Sequence, residues 1–138
     1  MLIRRLTGSS EDTLKLLPIW RFFSNEGLDV NILGARIAIS QAIVLVLDNN
    51  GTFQGFAACS LRHSVLRQQP WLELDALFVA KELRRSLWGS QLLKNVCQIA
   101  LEEKCDAVHV SSIPEPAAEA FYRKNGFRHY ATRWVFIV

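Results

Sequence analysis

Two apolar runs joined by a short polar turn constrain this chain more than any other feature. Ile43-Val44-Leu45-Val46-Leu47 leads into Asp48-Asn49-Asn50-Gly51, and Thr52 to Leu61 follows. Asn-Gly between β-prone runs predicts a hairpin, because both residues tolerate the positive φ that matches the twist of paired strands. After the turn signal Gln68-Gln69-Pro70 comes Trp71-Leu72-Glu73-Leu74-Asp75-Ala76-Leu77-Phe78-Val79. Its first half alternates apolar with acidic and its second half is apolar, which predicts a strand that enters the core as it runs.

Outside this β region the period changes. Trp88 to Lys104 predicts a helix, with Leu92, Leu93, Val96, Ile99 and Ala100 on one stripe and Gln91, Lys94, Asn95, Gln98 and Glu102 on the other face. Leu2 to Leu6 reads as a short strand. Ser9 and Ser10 before Glu11 and Asp12 read as a helix start. Pro18 is expected to kink or interrupt that helix before Trp20, Phe22 and Phe23. A second helix is expected over Asn31 to about Ser40, weakened by Gly34. Ala107 to Val110 reads as a buried strand. Pro114 and Pro116 open a helix over Ala117 to Lys124, closed by Asn125-Gly126. Trp134-Val135-Phe136-Ile137-Val138 is expected as a final strand. The order β-α-α-β-β-β-α-β-α-β predicts one α/β (α+β) domain over residues 1–138, a mixed sheet flanked by helices.

Composition narrows the function. With 138 residues, half of them apolar and 21% charged, the chain can bury a core of its own. No apolar run reaches the length of a membrane span, and Met1 to Leu6 carries basic residues with no apolar stretch behind them, so a cytoplasmic location is expected. Cys59, Cys97 and Cys105 are odd in number and lack CxxC spacing, which fits neither a disulfide framework nor a zinc site; no metal is expected. A net charge of +3 suits an anionic ligand but is too small and dispersed to imply nucleic acid.

The junction from Val79 to Gln91 is the chemically informative spot. A strand running into a helix leaves backbone N–H groups free at the positive end of the helix dipole, which binds phosphate. Arg84 and Arg85 add charge there. Arg84-Arg85-Ser86-Leu87-Trp88-Gly89, followed by Ser90, resembles the acetyl-CoA motif of the GCN5-related N-acetyltransferase (GNAT) superfamily, with Leu87 where that family usually has glycine. Ala117-Ala118-Glu119-Ala120-Phe121-Tyr122-Arg123-Lys124-Asn125-Gly126-Phe127 resembles the family's second motif, at the right distance downstream. Leu74 to Val79, with Trp134-Val135-Phe136, is more loosely similar to the diamine (spermidine/spermine) acetyltransferase branch, although Ala76 stands in place of that branch's second acid.

The resemblance implies a GNAT-like, mostly antiparallel sheet and direct attack of a primary amine on the thioester of acetyl-CoA, used as a cosubstrate. It implies that Leu77, Phe78, Val79, Arg84, Arg85, Ser86, Leu87, Trp88, Gly89, Ser90 and Tyr122 bind the cosubstrate, with an oxyanion donor in the backbone near Phe78 or Val79. Tyr122 takes the position of the acid that protonates the departing thiolate. Glu73 and Asp75, two apart on a strand and so on one face, are the candidate bases or cation-binding groups. His63 and Cys59 are weaker candidates for base and nucleophile, and His109 reads as a strand residue. Trp88 either covers the cosubstrate or packs on the first helix. A degenerate member that binds acyl-CoA or a partner protein without turnover is the alternative. The apolar last strand offers an edge for a homodimer.

Overall fold

The Asn-Gly turn closes as its sequence demands. In the computed structural model, which describes residues 1–24, 26–111, 115–131 and 134–138, β2 (Ala42–Asn49) and β3 (Thr52–Arg62) pair antiparallel. Asn50 and Gly51 have φ of 52° and 92°, and the Gly51 N–H is held by Asp48 Oδ1 at 2.7 Å. β1 (Leu2–Arg5) adds to the free side of β2, and β4 (Trp71–Val79) adds to β3, both antiparallel. β5 (Val108–Val110) joins β4 in parallel, giving one five-stranded sheet in the order β1-β2-β3-β4-β5.

Helices cover both faces, so this is the expected mixed, mostly antiparallel α/β architecture. α1 (Ser10–Trp20) and α2 (Val30–Ile37) lie on one face, where Leu16, Leu17, Leu33 and Ile37 pack against Val44, Val46, Phe56, Ala58 and Phe78. α3 (Trp88–Glu102) lies on the other, its stripe of Leu92, Leu93, Val96 and Ala100 meeting Leu45, Leu47, Cys59, Leu72 and Leu74. α4 (Pro116–Lys124) joins this second layer through Phe121 and Tyr122. It starts on Pro116 and ends before Gly126 at φ 88°; Pro114 lies outside the described residues. No helix among the described residues is long and apolar enough to cross a membrane.

Three expectations need correction. Pro18 lies inside α1 without ending it, and the helix runs on to Trp20. Gly34 does more than weaken α2. A Cβ there would stand 3.0 Å from the Gly8 carbonyl oxygen, and one on Gly8 would stand 2.5 Å from that of Gly34. The two glycines let the β1–α1 connection and α2 meet backbone to backbone. Trp134–Val138 forms no strand: all five residues are exposed and none has a ladder partner among the described residues. The sequence there favours extended structure, yet β5 offers an edge of only three residues.

Arg4 fastens the first face at its rim. Its guanidinium holds Asp12 of α1 at 2.7 and 3.0 Å and Asp48 of the hairpin at 2.9 Å. It also lies over the Phe53 ring, 5.3 Å from the centroid. The side-chain hydrogen bonds from Arg4 hold both carboxyls below the ordinary aspartate range, against the opposing effect of burial. Because these folded-state pKa values are depressed, the ionised pairs stabilise the fold above about pH 4, and that contribution falls away as pH drops through the lowered values. Arg4→Met should therefore lower the unfolding free energy by about 1–2 kcal/mol at pH 7 and flatten the acid limb of a stability–pH curve. An unchanged acid limb would show that the clamp is not what titrates.

Candidate active site

Strand β4 carries an irregularity where the chemistry is expected. Ala58 pairs with Ala76 and Cys59 with Leu74, so Asp75 is the extra residue of a β-bulge. A bulge re-aims side chains and commonly borders a site. Leu72 and Leu74 face α3, whereas Ala76 and Phe78 pack on the α1/α2 side. Glu73 alternates with Leu72 and Leu74 and so also faces the α1/α2 side. Asp75 joins it there, accepting a hydrogen bond from Ser60, the β3 residue in register with Glu73. The two candidate carboxylates thus share a face, as expected, but differ in setting. Glu73 is only 5% exposed and stands in register with His109 on β5. Asp75 is open to solvent, with one carboxylate oxygen on Ser60 and the Arg62 guanidinium 3.9 Å from the other. Ser60 was missed in the sequence; its parity with Phe56 and Ala58 on β3 is the signal that would have found it.

Among the described residues only Leu72, Glu73 and Leu74 have β5 partners, so past Leu74 no described strand pairs with that edge of β4. The Ala80 N–H bonds back to Gln54 of β3 at 2.8 Å. Backbone groups alternate sides along a strand, so Phe78 also points toward β3, whereas Leu77 and Val79 point to the opposite edge. The Val79 carbonyl accepts Arg84 Nε at 3.1 Å from that side. Of the two donors anticipated for an oxyanion, Val79 fits this geometry and Phe78 does not, and Leu77 joins it.

A 3₁₀ turn over Lys81–Leu83 carries the chain from β4 to the loop before α3. Arg85 takes φ of 65° there, a strained conformation for a residue with a Cβ. Leu87, in contrast, has φ of −77° and ψ of −6°, so this backbone places no demand for glycine at that position. Its side chain is exposed and caps nothing. The first turn of α3 holds the amides of Trp88, Gly89 and Ser90, which have no acceptors within the helix. Ser86 Oγ takes the first at 3.3 Å. Arg84 and Arg85 are exposed beside them, so this loop offers an anionic group both charge and backbone donors. Trp88 packs into the α3/α4 layer, not on the first helix. Gly89 lies under α4, where a Cβ would meet Phe121 Cε1 at 3.4 Å.

Tyr122 approaches from the opposite face to the carboxylates. Its ring packs in the α3/α4 layer against Phe121 at 5.3 Å and Phe127 at 5.6 Å between centroids. Burial pushes its phenol above the ordinary tyrosine range, which keeps the proton on. The weaker candidates are set apart. Burial, with Asp75 and Cys97 nearby, pushes the Cys59 thiol up to about 12, far from nucleophilic. His63 is exposed on the β3–β4 connection. His109 contacts the Trp71 and Tyr130 rings at 5.8 and 5.6 Å; it makes no side-chain hydrogen bond among the described residues.

Comparison with known proteins bears on the family and the fold. Residues 16–127 match the sequence profile of the Acetyltransferase (GNAT) family. Among solved structures, an aminoglycoside acetyltransferase from an uncultured soil metagenomic sample, in complex with trehalose, superposes with a TM-score of 0.86 at 16% identity, covering 99% of this chain and 95% of that one. An aminoglycoside N-acetyltransferase in complex with CoA gives 0.81 at 19% identity, covering 99% and 93%. The ribosomal-protein-alanine N-acetyltransferase of Brucella melitensis biovar Abortus 2308 gives 0.81 at 13% identity over the full length of both chains. At these identities the likeness is one of fold. No curated protein matches the chain.

Proposed function

We propose, from the premise that this chain belongs to the acetyltransferase (GNAT) family, that it moves an acetyl group directly from acetyl-CoA to a primary amine of a small molecule or protein. The observation that carries this reading is the β4 edge past Leu74, which has no strand partner among the described residues, with Glu73 and Asp75 on one side of the sheet and Tyr122 on the other. A thioester at that edge meets an amine from the α1/α2 face, while its sulfur leaves toward α4. Arg84, Arg85 and the amides of Gly89 and Ser90 hold the pyrophosphate.

An alkyl amine has a pKa near that of lysine, about 10.4, so at neutral pH only about one molecule in a few thousand is uncharged. Glu73 takes the amine proton, directly or through water. Asp75, already engaged by Ser60 and Arg62, serves to hold the cation before it loses that proton. As the N–C bond forms, the amides of Leu77 and Val79 stabilise charge on the carbonyl oxygen. As the C–S bond breaks, Tyr122 gives its proton to the sulfur and recovers one from solvent. Three free cysteines suit a reducing, cytoplasmic setting, and the exposed apolar residues at 134–138 suit the edge of a homodimer. Binding of acyl-CoA or a partner protein without turnover is the rival, supported by Leu87 where the family usually carries glycine and by Ala76 where the diamine branch carries its second acid.

A ligand that binds only the folded state raises its stability. Millimolar acetyl-CoA should raise the unfolding temperature, and an amine panel should then release free thiol. A shift without thiol release favours the rival, and no shift at all removes both.

A further inference from the structure

The end of α1 and the turn after it present two phenylalanines that would ordinarily be buried. Phe22 is 74% exposed and Phe23 54% exposed, yet both are anchored from below. The Phe22 ring stacks on Phe78 with centroids 5.1 Å apart and planes 14° apart. Phe23 meets Phe56 edge-on at 5.6 Å and Phe78 at 6.1 Å. Trp20 and Phe78 stack on Phe56 in turn, at 5.0 and 5.9 Å. The outer surfaces of two held aromatic rings therefore face water, and burying them is favourable for any apolar ligand that reaches them.

Their position matters as much as their exposure. Phe78 lies on β4 on the same side as Asp75 and Glu73, three residues beyond the bulge, about 10 Å along the strand. One face thus offers the exposed Asp75 carboxylate at one end, with Glu73 buried behind it, and a flat apolar platform at the other. The charge available is limited. Ser60 donates a hydrogen bond to one oxygen of Asp75 and the Arg62 guanidinium stands 3.9 Å from the other, offsetting part of its charge, and Arg84 stands 5.8 Å from the Phe78 ring. A single cation is accommodated there, whereas several would be repelled. The platform itself has no polar atom to receive hydroxyl groups.

We infer that Phe22 and Phe23 select the acceptor, and that it is a primary monoamine joined to an aromatic or similarly flat apolar body. Its ring stacks on Phe22 while its ammonium group points along β4 toward Asp75. This inference rests on the acetyl-transfer reading for its chemistry, but the platform makes a separate claim about binding.

The test compares phenethylamine, 4-phenylbutylamine, ethylamine, spermidine and kanamycin, by thiol release with acetyl-CoA and by calorimetric binding. The aromatic amines should have kcat/KM at least about tenfold above the others. Phe22→Ala and Phe23→Ala should raise the KM for aromatic amines by about two- to tenfold, with a smaller change in kcat and a smaller effect on ethylamine. Both rings are largely exposed, so the variants should fold, which their unfolding temperatures will show. Preference for spermidine or kanamycin, or an unmoved KM in both variants, would overturn the inference while leaving acetyl transfer standing. If no amine releases thiol, binding decides: phenethylamine binding lost in Phe22→Ala upholds the platform and sinks the turnover reading. Absence of binding sinks the platform.

Discussion

Tyr122→Phe should lower kcat about 10²–10⁴-fold while acetyl-CoA still raises the unfolding temperature nearly as far as it does in the parent protein. The substitution keeps the ring that packs against Phe121 and Phe127 and removes only the hydroxyl. Burial raises the phenol's pKa, so the group stays protonated and able to donate through the neutral range. The sign follows: activity that depends on this proton should persist through the alkaline range in which an ordinary tyrosine ionises and decline only beyond it. The variant should lose that alkaline limb along with its rate. Equal loss of turnover and of acetyl-CoA stabilisation would place Tyr122 in binding alone, and unchanged turnover would remove it from the reaction.

Gly55→Ala should have the largest effect on stability. Gly55 lies in the middle of β3, opposite Val79. An added Cβ would stand 2.7 Å from the Phe78 carbonyl oxygen and 2.7 Å from Leu47 Cδ1. Neither can move aside cheaply. Leu47 is fully buried, and the oxygen belongs to the backbone of the reaction strand. β3 and β4 must therefore part, at a cost of about 3 kcal/mol, or about 10 °C in unfolding temperature for a domain of this size. Gly89→Ala is the contrast, since its nearest neighbour at 3.4 Å is the edge of the Phe121 ring, an ordinary contact. Thermal unfolding of the two variants should separate them clearly; similar midpoints would mean that the sheet yields more easily than its packing implies.

Much of this architecture is local and was legible for that reason. The limits of β4 follow from alternation between Trp71 and Val79, the hairpin from Asn50-Gly51, and α3 from its apolar stripe. The motif around Tyr122 sits on a short helix ended by Gly126, as its sequence implies. What escaped was set by distant contacts. Nothing in linear spacing joins Arg4 to Asp48, 44 residues away, or Gly8 to Gly34. The bulge at Asp75 involves no glycine and no positive φ, so it leaves no mark in composition. It nevertheless decides how Asp75 meets Ser60 and Arg62. The apolar run at 134–138 shows the converse: strand propensity is clear there, but a strand also needs a partner edge.

The three-residue seam between β4 and β5 affects how the domain holds together as well as how it reacts. Four strands and the layer of α1 and α2 form a continuously paired unit, while β5 is tied to it by the pairs from Leu72 to Leu74 and by packing under α3 and α4. On the proposed acetyl-transfer reading, a cosubstrate lodged past that seam would bond to the β4 edge as a neighbouring strand does. It would then bridge the two parts, adding to the cohesion that α3 already supplies through Leu92, Leu93 and Val96 packed on the sheet.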